Sequence, residues 1–568
     1  MDKNEVKVKN VKDSYTLILT KMNGQKMGYI HYDKVTKLSR GIKRISELEF
    51  TINKYYGVDN DYNPLYDELQ NERFIELDNE EIFVIKDVKK NKNNQKTVIA
   101  YGKEKKLCNI SIEIEDITLT LINPYTDIEG CYSLDELLYE YTGWRLGYVS
   151  DEVRYRKNET ILDILNDNVV TLTEEENLRY QESISSNWYD FINNDIAEQF
   201  ECYPVFDSYN KVVHLYSDAE LGERLQLLLS YDNYLKDHAV TTNSEEIITR
   251  IQPKGNEDLT ILEENPTGET YIEDYSYFIE REEMTQGLIN ALNLYNTMVI
   301  QRTQEWYVLR GEKETKQNEL QAKKVELTFL YRKMMALNSI IDSTTNEEYK
   351  AEVIVQLTEL NDKKVVLENE VDGLTTEIRY LEEAITNVIL LCKKKTATDN
   401  NGLLIFNDAL LDELKEFIFQ DSYASDSITD ALTLYKIGQR ELKKRIRPTI
   451  TWEVDTVNFA KRIIDNGFRQ QWSGELALGD MILLQDDDGI TTPVYFIGYT
   501  QSFKKGQETL ELELSNMKEN NDFSLSIGER LTLANRAYKI TKSNQGIINK
   551  LKTNRVGLTY DKINKEIL

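Results

Sequence analysis

The stretch VIVQLTELNDKKVVLENEVDGLTTEIRYLEEAITNV, residues 353–388, decides how much of the chain is read. Val353, Leu360, Leu367, Leu374, Leu381 and Val388 recur every seven residues. Leu357, Val371, Ile378 and Ile385 fill the companion positions, with Lys364 as the polar interruption. A sustained a/d heptad of this kind needs a partner helix. Leu320, Leu327, Met334 and Ile341 repeat the spacing upstream. Between the two runs lies DSTTNEE (342–348), where Thr345 and Glu348 read as a capping box. Two amphipathic arms joined by a short polar turn predict an antiparallel helical hairpin over residues 312–391, inside an insertion spanning 283–400. A second arm of about 45 residues reaches roughly 67 Å. Lys393, Lys394 and Lys395 fall where a helix C-terminus favours cations. A self-contained hairpin and an arm that docks on a partner share this seam.

The insertion is flanked by β-rich sequence. SYTLILT (14–20), ISELEFTIN (45–53) and the hairpin pattern EEIFVIKDVKKNKNNQKTVIAYG (80–102) predict an N-terminal β domain over 1–125. Residues 126–245 change character. Ser133 and Glu136 form a capping-box pattern ahead of LDELLYEYT, which stops at Gly143. Trp188, Phe191, Ile192, Ile196 and Phe200 recur at helical spacing, and CYPVF and KVVHLYS form a hairpin. These features predict a small α/β domain. Residues 246–282 return to β, with a turn at Asn265–Gly268 and a strand through SYFI. Beyond the insertion, 401–448 reads as a helical connector ended by Pro448. Residues 449–520 read as a second β domain containing a short helix at VNFAKRII, and 521–568 as a mostly helical extension.

With 568 residues the chain predicts several domains. There is no 18-residue apolar run, so no membrane span is expected, and the segment after the N-terminal lysines has no apolar core of a secretory signal. Four scattered cysteines without a CxxC pair suit reduced thiols made in a cytoplasm. Tyrosine is abundant (35) and proline rare (7), which suits long interfaces and little flexible linker. The net charge is −29. Affinity for DNA comes from neutralising phosphates, so this balance disfavours a DNA-binding role and suits a surface past which DNA slides. It also keeps a large protein soluble.

Chemistry finds few handles. His31, His214 and His238 lie apart, with no HExxH, and read as structural histidines. No cysteine has a histidine beside it, and neither a Walker loop nor a GxGxxG is present. Asp486–Gly489 lacks the ladder and distal Glu of a calcium loop and reads as a hairpin turn. No catalytic residue, metal site or cofactor is expected.

Several stretches, in order, resemble Gram-positive siphophage tail-tip proteins, the family of phage minor structural proteins and prophage tail endopeptidases. They are YTGWRLGYVSDEVRYRK (141–157), NWYDFINNDIAEQFECYPVFDSYNKVVHLY (187–216), IITRIQPKG (247–255) with NPTGETYIEDYSYFI (265–279), and TITWEVDTVNFA (449–460) with ELALGDMILL (475–484). LKEFIFQDSY (414–423), after the helical insertion, also occupies the family's place. The resemblance covers roughly residues 1–520. It implies an α+β multidomain chain with two barrel-like β domains, the small α/β domain and the hairpin insertion. It further implies a homotrimeric hub at the virion tail tip, assembled in the host cytoplasm and opening for DNA passage. The implied partners are a hexameric distal tail protein, the tape-measure protein, and peripheral baseplate or receptor-binding proteins, with DNA only in transit. Many relatives carry a long C-terminal hydrolase, fibre or sugar-binding module. Here about 50 residues follow the last β domain, so the endopeptidase activity is not carried over. A tail-associated peptidoglycan hydrolase and a receptor-binding tail protein are the rival readings.

Overall fold

In a computed structural model the described residues are 10–518, apart from position 13 and residues 32–34, 57–58, 113–116, 122–130, 158–171, 182–186, 257–258, 426–427, 457–474, 487–488 and 504–507. The helix expected at VNFAKRII, the middle of the Asp486–Gly489 turn and the extension 521–568 lie outside them. The chain divides into two units. Among the described residues, one comprises the stretches between 10 and 157, 172 and 245, and 448 and 518, and the other those between 246 and 447.

The first unit is built on a 13-stranded sheet. Its strands, in chain order, are β1 (Leu17–Thr20), β2 (Lys26–Ile30), β3 (Val35–Gly41), β4 (Glu47–Asn53), β5 (Phe74–Leu77), β6 (Glu81–Asn91) and β7 (Gln95–Gly102). They continue as β8 (Arg224–Leu229), β9 (Leu235–Asn243), β10 (Thr449–Thr456), β11 (Met481–Gln485), β12 (Thr491–Ser502) and β13 (Thr509–Ser515). The spatial order is β9-β10-β13-β12-β3-β4-β7-β6-β5-β1-β2, with β11 beside β12 and β8. Strand β12 joins the two halves. Its first half, Thr491–Tyr495, pairs with β11, and Gly498–Gln501 in its second half pair with β3. The ladder with β13 is irregular between Phe496 and Gly498, the point of the change.

Period-two alternation explains which side faces inward. In β7 every second residue is buried, and β4 and β10 follow the same rule over part of their length. Two cores result. Leu17, Leu38, Phe50 and Phe83 centre the first, and Leu229, Ile482, Phe496 and Leu512 the second. Two barrel-like domains were expected; the structure has two β cores under one continuous sheet, with no closed barrel found among the described residues. In each half the outermost strands are consecutive in sequence, β2 with β3 and β8 with β9.

The domain boundaries read from sequence move in two places. Strands β8 and β9, assigned to the small α/β domain at 126–245, belong to the large sheet, because their partners β11 and β10 lie more than 200 residues later. Ile117–Thr120, assigned to the N-terminal β domain, pairs instead with Cys131–Ser133 and Arg179–Gln181. The small α/β region retains a sheet of Arg145–Val149, Val212–Tyr216 and Tyr203–Asp207. Trp144, Trp188, Phe191 and Phe206 fill its core. Gly143 closes the Leu134–Thr142 helix in the left-handed conformation (φ 70°), but the Ser133 side chain makes no capping bond. The helix expected through Phe191 is present, with a π-helical turn at Phe191–Ile196.

In the second unit, Arg250–Lys254 pairs with Ile272–Glu273 and with Gln420–Ala424. The last of these strands was not foreseen, and SYFI, read as β, lies in the short helix Ser276–Glu280. Helix Ala431–Arg445 crosses the strand so closely that a Cβ on Gly438 would sit 2.4 Å from Pro253. Gln286–Ser343 and Glu347–Cys392 form the arms, 58 and 46 residues long, or roughly 87 and 69 Å at 1.5 Å per residue. The cap between them is Asn346, not Thr345. Its Oδ1 accepts the backbone N–H groups of Glu348 (3.1 Å) and Tyr349 (3.3 Å).

Candidate functional site

Along the arms, burial follows the heptads. Val353, Leu360 and Val388 are buried, while Leu320, Leu327, Met334, Leu367, Leu374 and Leu381 are half-buried between exposed neighbours. Two helices alone cover an a/d seam only partly, which accounts for the half-burial. Cross-arm pairs fix the antiparallel register: Lys313–Glu382 and Lys316–Glu377 at 3.0 Å, and Lys323–Glu370 at 2.9 Å. The polar interruption Lys364 sits 5.2 Å from the centre of the Tyr331 ring, whose hydroxyl donates to Glu368 at 2.5 Å. Its ammonium faces the ring and lies 3.5 Å from the Glu368 carboxylate, so the seam tolerates it.

The base of the arm holds a polar clamp that the sequence did not disclose. Glu273 accepts from Arg250 at 2.5 Å and from the Tyr275 hydroxyl at 2.9 Å, and it is in direct contact with Lys394. The rings of Tyr275 and Tyr295 each lie 5.3 Å from the Lys394 ammonium. Burial, with the charge of Arg250 adding to it, drives that ammonium toward its neutral form. The triple lysine was read as complementing the helix terminus. Instead Lys393 and Lys394 pair with Glu269 and Glu273. The last carbonyls of the second arm take other donors: Arg302 reaches Leu391 O at 2.5 Å, and the Tyr295 hydroxyl reaches Cys392 O at 2.7 Å.

A second clamp lies where the two β halves meet. Arg40 of β3, 5 % exposed, donates to Glu81 of β6 at 2.5 Å and to the Tyr499 hydroxyl of β12 at 2.7 Å. It also reaches Asn10 O at 3.3 Å. Beside it Gln501 donates to Lys12 O at 2.8 Å. Lys12 in turn pairs with Glu80 (2.5 Å) and Asp78 (3.2 Å). Backbone pairing and a buried charge thus hold the same junction.

The three histidines are dispersed. His31 is exposed, and His238 shares a 2.9 Å hydrogen bond with the Tyr231 hydroxyl. His214 is buried, and its Nδ1 accepts the Tyr148 N–H at 2.9 Å. A Cβ on Gly147 would lie 2.6 Å from its ring, so only glycine fits there. Burial pulls the His214 pKa down to about 4, with Asp207 opposing. Between about 6.5 and about 4 the unfolded chain therefore holds a proton that the folded one does not. The small α/β region should lose about 3 kcal/mol of stability as pH falls through that window. Unfolding followed by the fluorescence of Trp144 and Trp188 should report the loss, and His214→Gln should flatten it.

The cysteines are all free thiols. Burial pushes Cys392 up to about 11 and raises Cys108 as well, which disfavours the thiolate in both. Among the described residues no group of three or more His, Cys, Asp or Glu is arranged to hold a metal ion. Nor is any helix there long and apolar enough to cross a membrane.

No family model matches the chain. A curated relative, the uncharacterized protein YomG derived from the SPbeta prophage of Bacillus subtilis strain 168, is 25% identical over 351 residues, 59% of this chain. The match spans 38% of that relative's length. Among solved structures, prophage tail protein gp18 from Listeria monocytogenes aligns with a TM-score of 0.41 at 10% identity, covering 92% of this chain and 98% of that one. The 43 kDa tail protein of prophage MuSo2 from Shewanella oneidensis aligns with a TM-score of 0.41 at 8% identity, covering 88% and 98%. The likeness to both is one of outline, and no residue role follows from it.

Proposed function

We propose that the chain is a non-enzymatic structural protein of a phage tail tip, or of a phage tail-like particle. In this reading three copies form the hub that closes the distal end of the tail tube and opens for DNA. The observation that carries it is the doubled β architecture: two cores under one sheet, joined by β3–β12 pairing and the Arg40–Glu81 clamp. Three such chains supply six β lobes, the number that a hexameric ring above them requires. Among the described residues the outermost strands β2, β8 and β9 each pair on one edge, and β9 is exposed along most of its length. Open edges of this kind need covering, and a neighbouring copy covers them. The prophage origin of the curated relative and the ordered motifs of the tail-tip family agree with this reading. The net charge of −29 suits a channel that lets DNA pass without holding it.

The mass of the assembled full-length protein at micromolar concentration tests the reading. About three times 66.4 kDa is expected. A single-chain mass, unchanged when the distal tail ring is added, would exclude the trimeric hub. Zymography on purified cell walls tests the hydrolase alternative, and no clearing is expected.

A further inference from the structure

The arms carry apolar residues that their own seam does not use. On the first arm helix Val325, Phe329 and Met335 are exposed, Phe329 at 65% and Met335 at 71%. None occupies a seam position; they fall at the f, c and b places of the heptad that contains Leu320 and Leu327. On the second arm helix Val355, Val365 and Val366 are likewise exposed at f, b and c. β-Branched and aromatic residues on a solvated helix face contribute nothing to helix propensity. On each outward face they lie in one row with exposed charges, and a mixed row of apolar and charged side chains suits a partner helix.

Charge identifies the occupant. Arg332, at f, lies on the outward face of the first helix beside Phe329, and Glu359 and Asp362, at c and f, lie on that of the second. All three are exposed. Glu326, Lys333 and Lys363 fall at g, on the seam flanks, where Glu326 already pairs with Lys323. The Lys323–Glu370 and Tyr331–Glu368 pairs also put Phe329 level with Val365 and Val366 along the arm. Arg332 then lies level with Asp362. A basic apolar face and an acidic apolar face therefore stand back to back at one height on the same hairpin.

We propose that the outward face of the first arm helix in one copy docks on the outward face of the second arm helix in a neighbouring copy. The two faces differ, so the contact is head-to-tail and propagates around a ring, which suits cyclic rather than isologous assembly. Two hairpins side by side bring the faces together without axial slip. This inference rests on the proposed self-assembly of the chain, and it assigns to the arms a contact separate from any made by the β sheets.

Two full-length variants test it, Met335→Cys in one preparation and Val366→Cys in another, mixed and treated with a short bis-maleimide. The expected product is a covalent heterodimer, above the background of the native cysteines in a mixture of unsubstituted chains. Adding Arg332→Glu to the first chain should lower its yield about tenfold. Adding Glu359→Lys and Asp362→Lys to the second should restore it. Circular dichroism of each variant checks that the arm stays helical. A trimeric mass with no heterodimer, or a yield that ignores charge reversal, would overturn the arm contact and leave the hub reading standing. A single-chain mass under all conditions would overturn both.

Discussion

Replacing Glu81 by Gln should loosen the junction between the two β halves by about 3–5 kcal/mol, the cost of stranding a buried charge. Arg40 would keep the Tyr499 hydroxyl and the Asn10 carbonyl, which are neutral acceptors, and lose its carboxylate. Its guanidinium cannot shed the charge, because arginine stays protonated throughout the pH range in which proteins fold. The effect should be local. Amide hydrogen exchange in Val35–Gly41 and Gly498–Gln501 should quicken by roughly a hundredfold or more, while the core strands of β6 and β7 change less. A second variant separates charge from packing. Arg40→Met combined with Glu81→Leu removes both ions and should recover most of the lost protection, because a buried pair exchanged for apolar side chains of similar volume is often neutral. If Glu81→Gln alone leaves exchange unchanged, backbone pairing carries the junction by itself.

What could be read from the sequence divides by the range of the interaction. The arms were legible because heptad periodicity is local: the spacing from Val353 to Val388 falls on the residues that are buried or half-buried. The strands of β6 and β7 were legible for the same reason, being joined by a short polar turn. The placement of β8 and β9 was not. Their alternation says strand, but β9 pairs with β10, and nothing in LKDHAVTTN names a partner more than 200 residues away. Local chemistry also left choices open. Thr345 and Asn346 can each cap a helix, and the backbone places Asn346 where its Oδ1 meets two N–H groups. SYFI alternates like a strand, yet Phe278 stacks on Phe419 and the segment turns helical. Among the site residues, Arg40 carries no local signal in the sequence. Its burial depends on Glu81 and Tyr499, which come from β6 and β12. The outward Phe329 and Met335 could be picked out only once the seam had been assigned, because an apolar residue in a helix is read as core by default.

Glu273→Ala should be the most damaging single change in the second unit, because one carboxylate there serves two cations. Arg250 and Lys394 both point at it from different segments, and the Tyr275 hydroxyl donates to it as well. Without it two positive charges would face each other in a pocket walled by Tyr271, Tyr275 and Tyr295. The expected cost is about 3–5 kcal/mol. Lys394 has an escape that Arg250 lacks, since burial already favours its neutral form. In the variant its folded pKa then lies below the value of about 10.4 in the unfolded chain. Over the window between them the unfolded state binds the extra proton, so raising pH toward 10.4 should restore part of the lost stability. Glu273→Gln keeps the hydrogen-bond acceptor and should lie between the two. The readout is exchange at the arm's base, around Tyr295 and Leu390–Cys392, with far-ultraviolet circular dichroism as the control for the distal helices. Those have their own seam and their own ion pairs and should persist. A helical arm freed at its root would keep its length and lose its aim. For a protein whose arms meet those of its neighbours, that would appear as a fall in the interchain cross-link without a fall in helix content. Loss of both together would mean that the base clamp is needed for the arm to fold at all.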